Sequence, residues 1–290
     1  MKILVVGKDG QVGRYLEQML DTSGNEVLFL GRGDLDISLK SEVNSTVISF
    51  MPNLIVNAAA YTNVENAESD SASAFQVNDL GVANLVSVCE RVKASLIHIS
   101  TDYVFDGKSK RPYTTQDITN PKNAYGKSKV AGENRIIESN INYYILRTSW
   151  VFSEYNSNFV KTMLRKGMEE SLLNVVSDQV GNPTYAGDVA IAICLMIPRL
   201  VAVRSQKIYH FGGTPCCSWY EFAETIFDIA VNKSMLTSKP KINMINTRGY
   251  ESLVDRPLFT ALDSKSFQKD FDFTIPKWKC SLENLLDRMR

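Results

Sequence analysis

Tyr125 and Lys129 stand four residues apart in Tyr125-Gly-Lys-Ser-Lys129, and Thr101 lies upstream in the run Ser100-Thr101-Asp102-Tyr103. Residues at i and i+4 share one face of a helix, so this spacing sets a phenol beside an ammonium. A phenol with a pKa of about 10 is a poor acid–base group at neutral pH, but a nearby ammonium favours the phenolate and lowers that value. The Thr101 hydroxyl could hold a carbonyl oxygen in line with Tyr125. Together the three groups suit delivery of a proton to that oxygen while a dissociable cofactor supplies hydride to the carbon. The chain has 12 tyrosines, so such a pair is common by chance, and two solvated residues on a helix surface are the plain alternative. Thr101 taken alone also reads as a hydroxyl capping a strand end.

A place for the cofactor lies at the N-terminus. Gly7, Gly10 and Gly13 follow directly on the apolar run Ile3-Leu4-Val5-Val6. The pattern reads as a strand, a tight turn and the first turn of a helix, which together bring backbone N–H groups up to a phosphate. The spacing departs by one residue from the usual dinucleotide fingerprint, and a glycine-rich turn without a ligand is the alternative.

The elements that must position these residues alternate through the first half. Expected strands are Lys2–Val6, Glu26–Leu30, Leu54–Asn57, Ser95–Ser100 and Asn142–Arg147. Expected helices lie near Gly13–Asp21, Ser41–Phe50, Ser71–Val92 and Ala124–Ser139, the third carrying Ala72, Phe75, Leu80, Ala83, Val86 and Cys89 at helical spacing. Short apolar strands between helices predict an α/β fold: a doubly wound, Rossmann-type parallel sheet that binds ligands at the carboxyl ends of its strands. After Trp150 the pattern loosens into helices near Asn158–Lys166, Gly187–Met196, Trp219–Ala230 and Leu282–Met289, with strands near Leu172–Val176 and Ile208–Phe211. We expect a dinucleotide-binding domain over 1–150 and a smaller C-terminal α/β substrate lobe over 151–290, with a soft boundary and segments that can return to the first domain.

Composition narrows the function. The 32 basic and 32 acidic residues cancel, which argues against nucleic acid as a partner. No Cys-x-x-Cys pair occurs among the five cysteines and there are two histidines, so a zinc site is not expected. The first apolar run is too short for a signal peptide, and the apolar stretch near Val189–Ile197 is too short to span a bilayer. A cytoplasmic protein with reduced thiols, no membrane partner and no metal is expected.

The set Gly7/Gly10/Gly13, Thr101, Tyr125 and Lys129 resembles the extended short-chain dehydrogenases/reductases. More specific stretches are similar to the dTDP-4-dehydrorhamnose reductase family: Asn57-Ala-Ala-Ala-Tyr61-Thr62, Ser100-Thr-Asp-Tyr-Val-Phe-Asp-Gly107, Arg147-Thr-Ser-Trp-Val-Phe152, Asp178-Gln-Val-Gly-Asn-Pro-Thr184 and Arg256-Pro257. They run in the family's order from residue 2 to about 263. The resemblance implies reduction of the 4-keto group of a dTDP-linked 6-deoxy sugar, with Thr101, Tyr125 and Lys129 catalytic. It implies cofactor contacts from Gly7, Gly10, Gln11, Val12 and Gly13 to the pyrophosphate and from Asp36-Ile37 to adenine. Ala58, Ala59, Ala60 and Tyr61 would line the ribose and phosphates. Asp102, Tyr103 and Trp150 would hold the sugar, and Arg256 the substrate diphosphate, with a surface ion pair as the alternative for Arg256. A homodimer is admitted. Some members dimerise through glutamate-held magnesium, but Arg14-Tyr15-Leu16 stands near the first such position, so no metal is expected.

The residue expected to meet the cofactor's 2′ position lies after the second strand, in Leu30-Gly31-Arg32-Gly33. An NAD-specific enzyme usually places an acid there, whereas Arg32 suits the 2′-phosphate of NADPH. Asp34 and Asp36 follow closely and would leave NADH tolerated. Readings that remain beside this one are a related nucleotide-sugar reductase, giving the talo epimer or taking a UDP-amino sugar, and a non-catalytic dinucleotide-binding regulatory subunit. The presence of Thr101, Tyr125 and Lys129 argues against the last, and Asp102-Tyr103 argues for reduction over dehydration.

Overall fold

The computed structural model describes residues 1–20 and 24–289. Five strands of the first half, β1 (Lys2–Val6), β2 (Glu26–Leu30), β3 (Leu54–Asn57), β4 (Ser95–Thr101) and β5 (Tyr143–Thr148), are joined by a strand from the second half. That half contains β6 (Val151–Phe152), β7 (Leu172–Val176), β8 (Val180–Gly181), β9 (Thr184–Tyr185), β10 (Gln206–Phe211), β11 (Cys217–Ser218) and β12 (Lys241–Ile245). The main sheet is six-stranded and parallel, in the order β10-β5-β4-β3-β1-β2. The direction of winding reverses between β1 and β3, and a ligand crevice opens outside the carboxyl ends at such a point.

Period-two alternation along the strands feeds two cores. Ile3, Val5, Leu54, Val56, Ile97 and Leu146 face one side, and Leu4, Val6, Ile55, Leu96 and Ile145 face the other. Helices cover both: α1 (Gln11–Met19), α2 (Lys40–Phe50), α3 (Val64–Ser69), α4 (Ser71–Phe75), α5 (Val82–Val92), α6 (Ala124–Ile137), α7 (Phe159–Glu169), α8 (Ala186–Ala202), α9 (Trp219–Asn232), α10 (Lys265–Phe271) and α11 (Trp278–Arg288). In α1, Val12, Tyr15 and Leu16 give the buried face that packs on α8. The helix expected near Gly13–Asp21 begins earlier, at Gln11, and Asp21 lies outside the described residues. The smaller sheet of the second half pairs β7 with β12 in parallel, and α7 and α9 pack together beside it.

One expected helix is corrected. The stretch Ser71–Val92 is α4, then a π-helical segment Gln76–Gly81, then α5. The wider turn shifts the phase of the apolar stripe, so Leu80 is 50% exposed while Asn78 is buried in its place. Asn78 Oδ1 accepts from the N–H of Tyr61 at 2.9 Å, and its Nδ2 donates to Tyr61 O and Ser128 Oγ, each at 3.0 Å. The insertion thus ties the loop after β3 to α6. Helix α8 also runs past the expected end at Met196, through Pro198, with Leu200 buried in its last turns.

Helix α6 sits so close to the π segment that a Cβ at Gly132 would overlap the carbonyl oxygen of Asn78, a backbone atom that cannot swing away. Gly132→Ala is expected to destabilise the protein by about 1–3 kcal/mol, read as a lower urea midpoint; an unchanged midpoint would show that α6 shifts without cost.

Candidate active site

The glycine turn closes on the loop after β3. Gly7 follows β1 at φ +87°, in the left-handed region that favours glycine. A Cβ there would lie 2.5 Å from Ala59 N and 2.6 Å from Ala58 C, and one on Gly13 would overlap Gly7 O. Gly10 is different: a Cβ would meet only Gly7 O, at 3.3 Å, so its face is open. Gly10 is the N-cap of α1 and gives no side-chain cap, which leaves first-turn N–H groups to an anion. A dinucleotide pyrophosphate fits this open, uncapped turn.

Gln11 does its visible work elsewhere. Its Nε2 donates to Val151 O at 3.3 Å, and its Oε1 accepts from Ser153 Oγ at 2.7 Å and Asn158 Nδ2 at 3.1 Å. The side chain fastens the glycine turn to the segment after Trp150, which leaves the backbone for a phosphate. Val12 is core. Ala58, Ala59, Ala60 and Tyr61 are half-buried along the loop after β3. Arg32 is exposed in the turn after β2, where its charge helps hold the Asp36 carboxyl below its usual pKa, after the larger effect of Ser38 donation. Ile37 is buried against Gly81, so its side chain serves the core. Asp34 is held by Lys8 at 2.6 Å and by Gly31 N–H at 2.9 Å.

Thr101 ends β4, and Tyr125 lies in the first turn of α6, where Asn123 caps the helix by accepting from Gly126 N at 2.8 Å. Thr101 Oγ1 donates to Asp102 Oδ1 at 3.1 Å and accepts from Tyr103 N at 3.2 Å. Burial pushes the Tyr125 phenol above its usual pKa, interaction with Thr101 pulls it partly back, and the charges of Asp102 and Tyr103 push it further up. This reverses the direction expected from the Tyr–Lys spacing. Lys129 is not among the groups that shift the phenol. Its Nζ donates to Ile99 O at 2.8 Å and lies 3.3 Å from His98 Nε2. Burial lowers the Lys129 pKa to about 8, against the opposing pull of Glu133.

The remaining candidates form a second group. Arg256 Nη1 donates to Tyr103 Oη at 2.9 Å and Nη2 to Glu65 Oε1 at 2.6 Å, while its buried Nε has no partner. The ion-pair alternative for Arg256 is therefore realised, with the guanidinium only 21% exposed and one donor left over. Tyr103 links this group to Tyr125, their rings meeting edge-on at 5.7 Å. Trp150, at φ +47°, stacks on Trp219 with centroids 3.5 Å apart and planes 7° apart. A cavity of about 350 Å³ opens here, lined by Phe159, Met163, Val176, Trp219, Tyr250 and Arg256 among others. Tyr250 and Arg256 thus bound the cavity from one loop.

The family model for the RmlD substrate binding domain matches residues 1–290. The chain belongs to this family. A dTDP-4-dehydrorhamnose reductase of Aggregatibacter actinomycetemcomitans is 43% identical over 98% of each chain. The crystal structure of such a reductase from Clostridium acetobutylicum superposes with a TM-score of 0.92 at 35% identity, covering 100% of this chain and 99% of that one. One from Bacillus anthracis, solved in complex with NADP, gives 0.90 at 33% identity over 99% of each. No helix among the described residues is long and apolar enough to cross a membrane.

Three residues that touch the candidate groups were not singled out from the sequence. Trp219 stacks under Trp150 from a helix far along the chain. Gly181 gives the Trp150 indole its room, since a Cβ would lie 2.5 Å from the ring, which explains the glycine in Asp178-Gln-Val-Gly-Asn-Pro-Thr184. His98 is fully buried beside Lys129. Only the Gly181 motif left a signal in the sequence.

Asp102 is 2% exposed, and its Oδ2 has no hydrogen-bond partner. Burial pushes its pKa up from 3.8 to about 7, against donation from Thr260 and Thr101. The folded chain therefore binds this proton more tightly than the unfolded chain. The resulting cost to stability is absent below the unfolded pKa, grows as pH rises from about 4 towards 7, and is complete above about 7. Between pH 4 and pH 8, Asp102→Asn should gain on the order of 2–4 kcal/mol relative to the parent. Urea unfolding at both pH values checks this, and a pH-independent difference would mean that Asp102 ionises normally.

Proposed function

We propose that this protein catalyses NADPH-dependent reduction of the 4-keto group of a dTDP-linked 6-deoxy-hexulose, converting dTDP-4-dehydro-L-rhamnose to dTDP-L-rhamnose. The observation that carries the reading is the meeting of Thr101 and Tyr125 at the carboxyl edge of the sheet, in a chain that matches dTDP-4-dehydrorhamnose reductases over nearly its full length. NADPH, when bound, supplies the hydride. Gly7, Gly10, Gln11, Val12 and Gly13 would hold its pyrophosphate through backbone N–H groups. Ala58–Tyr61 would line the ribose and phosphates, Asp36 and Ile37 the adenine, and Lys129 the nicotinamide ribose.

Tyr125 holds the proton. Burial raises its pKa and keeps the phenol neutral, so Oη–H is present when the substrate oxygen gains charge. The Thr101 hydroxyl orients that oxygen. Asp102 and Tyr103 face the sugar hydroxyls, and the Trp150–Trp219 stack gives the ring a rigid apolar wall. The Arg256 guanidinium would meet the substrate diphosphate by exchanging a present partner, Tyr103 or Glu65, with the adjoining cavity taking the nucleotide. The same reading sets the reaction in the cytoplasm, in keeping with five cysteines that are all free.

The test is NADPH oxidation with enzymatically generated dTDP-4-keto-L-rhamnose, followed by NMR of the sugar. We expect the rhamno product; a talo product changes the stereochemistry, and no oxidation by a protein that binds NADPH overturns the reading. In the same assay Tyr125→Phe should lose at least about 100-fold in kcat while NADPH binding by fluorescence titration persists. Near-parental turnover would remove Tyr125 as donor. Arg32→Ala should raise KM for NADPH by about tenfold or more and leave NADH nearly unchanged; equal losses would count against a 2′-phosphate contact.

A further inference from the structure

Asn57 ends β3 and His98 lies beside it on β4, and both side chains are fully buried. Asn57 Oδ1 accepts the N–H of Ala59 at 3.1 Å, which turns its Nδ2 toward His98 Nδ1 at 2.9 Å. The flipped amide would aim its own N–H at the Ala59 N–H, two donors with no acceptor. His98 Nδ1 must therefore accept, and the ring proton belongs on Nε2. That N–H faces Lys129 Nζ at 3.3 Å. An ammonium has three donors and no lone pair, whereas a neutral amine can accept from Nε2–H and still donate to Ile99 O.

We infer that His98, locked by Asn57 in the Nε2–H tautomer, is a positioning residue that favours the neutral amine of Lys129. Burial holds the imidazole well below its usual pKa, so it stays uncharged at working pH. Tyr125 and Glu133 lie one turn from Lys129 on its own helix, and the Glu133 carboxylate is taken up by Arg147 of β5 at 2.6 Å. Among the described residues, Nζ is hydrogen-bonded from β4 by His98 and the Ile99 carbonyl. Burial alone brings the Lys129 pKa down to about 8, and acceptance from His98 would add to the neutral form, which keeps both protonation states populated near neutrality, the condition for general acid–base exchange. Ala59, which sets the amide, belongs to the stretch assigned to the cofactor. The inference rests on the proposed role of Lys129 only for its consequence in turnover; the tautomer itself is independent of it.

The chain has two histidines, which makes the tautomer measurable. His210 Nδ1 lies 2.9 Å from Tyr113 O and must carry its proton there, the opposite tautomer. Protein labelled with ¹⁵N-histidine should show one neutral imidazole protonated at Nε2 and one at Nδ1 in long-range ¹H–¹⁵N spectra, and His98→Gln or His210→Gln assigns them. Two Nδ1–H rings, or a charged His98, would overturn the proposal without any activity measurement. His98→Gln, which can offer Nζ an amide oxygen, should also shift the Lys129 limb of the kcat–pH profile up by about one unit, with KM for NADPH changed less than about twofold. The expected tautomers with an unmoved limb would overturn the coupling to Lys129. An inactive parent with the expected spectrum would fault the proposed function instead.

Discussion

The seating of one helix on the sheet governs everything else at this site. Tyr125 and Lys129 stand on α6, and α6 is held by close contacts along its length. The Asn78 carbonyl abuts Gly132, the Ile99 carbonyl takes Lys129 Nζ, and the carboxylate of Glu133 meets the Arg147 guanidinium through three hydrogen bonds of 2.6–3.2 Å. That ion pair is 1–3% exposed. A buried pair adds little net stability over apolar packing, but losing one partner strands the other charge. The arrangement therefore serves register more than stability: α6 has one position in which its polar groups are all answered.

The same logic joins the two halves of the chain. Asn182 accepts from Ser149 and Leu262 N–H and donates to Gly213 O, each at 2.8 Å, so one residue holds the ends of β5 and β10 and a late loop together. Gln11 makes the matching tie from the glycine turn to Ser153 and Asn158. These ties set the cofactor turn, the Trp150 stack and the Arg256 loop around one crevice. Their cost is a set of buried polar atoms that must all find partners. Among the described residues, the exceptions, Ser100 Oγ, Thr148 Oγ1, Asp102 Oδ2 and Arg256 Nε, lie at or beside the carboxyl edge of the sheet or in the Arg256 loop.

Burial also decides the electrostatics. The Tyr–Lys spacing suggests a phenol lowered by an ammonium, yet the phenol is raised and the ammonium lowered, because desolvation penalises each charged form. A phenol that stays protonated at neutral pH is the form able to hand a proton to an oxygen gaining charge, and the lowered Lys129 ammonium gives up its own proton more readily than a free lysine. That pairing suits reduction, in which oxygen must gain a proton.

Much of this was written locally. Gly7, Gly10 and Gly13 announce the cradle because a tight turn, an open face and a close crossing each demand the absence of a side chain, wherever the rest of the chain goes. The apolar periods of β1 to β5 announce the parallel sheet because strands buried on both faces need little else. The Thr101, Tyr125 and Lys129 spacing announces the chemistry because a strand end and a helix face are local geometries. The sequence could not announce the π-helical turn at Gln76–Gly81, which moves Leu80 out and Asn78 in, since its phase shift depends on what α6 and the Tyr61 loop require. Nor could it pair Trp150 with Trp219, Arg256 with Glu65, or His98 with Lys129. Those partners are separated by 31 to 191 residues, and which of them meet, and whether their protons stay or leave, is fixed only when folding removes water from between them.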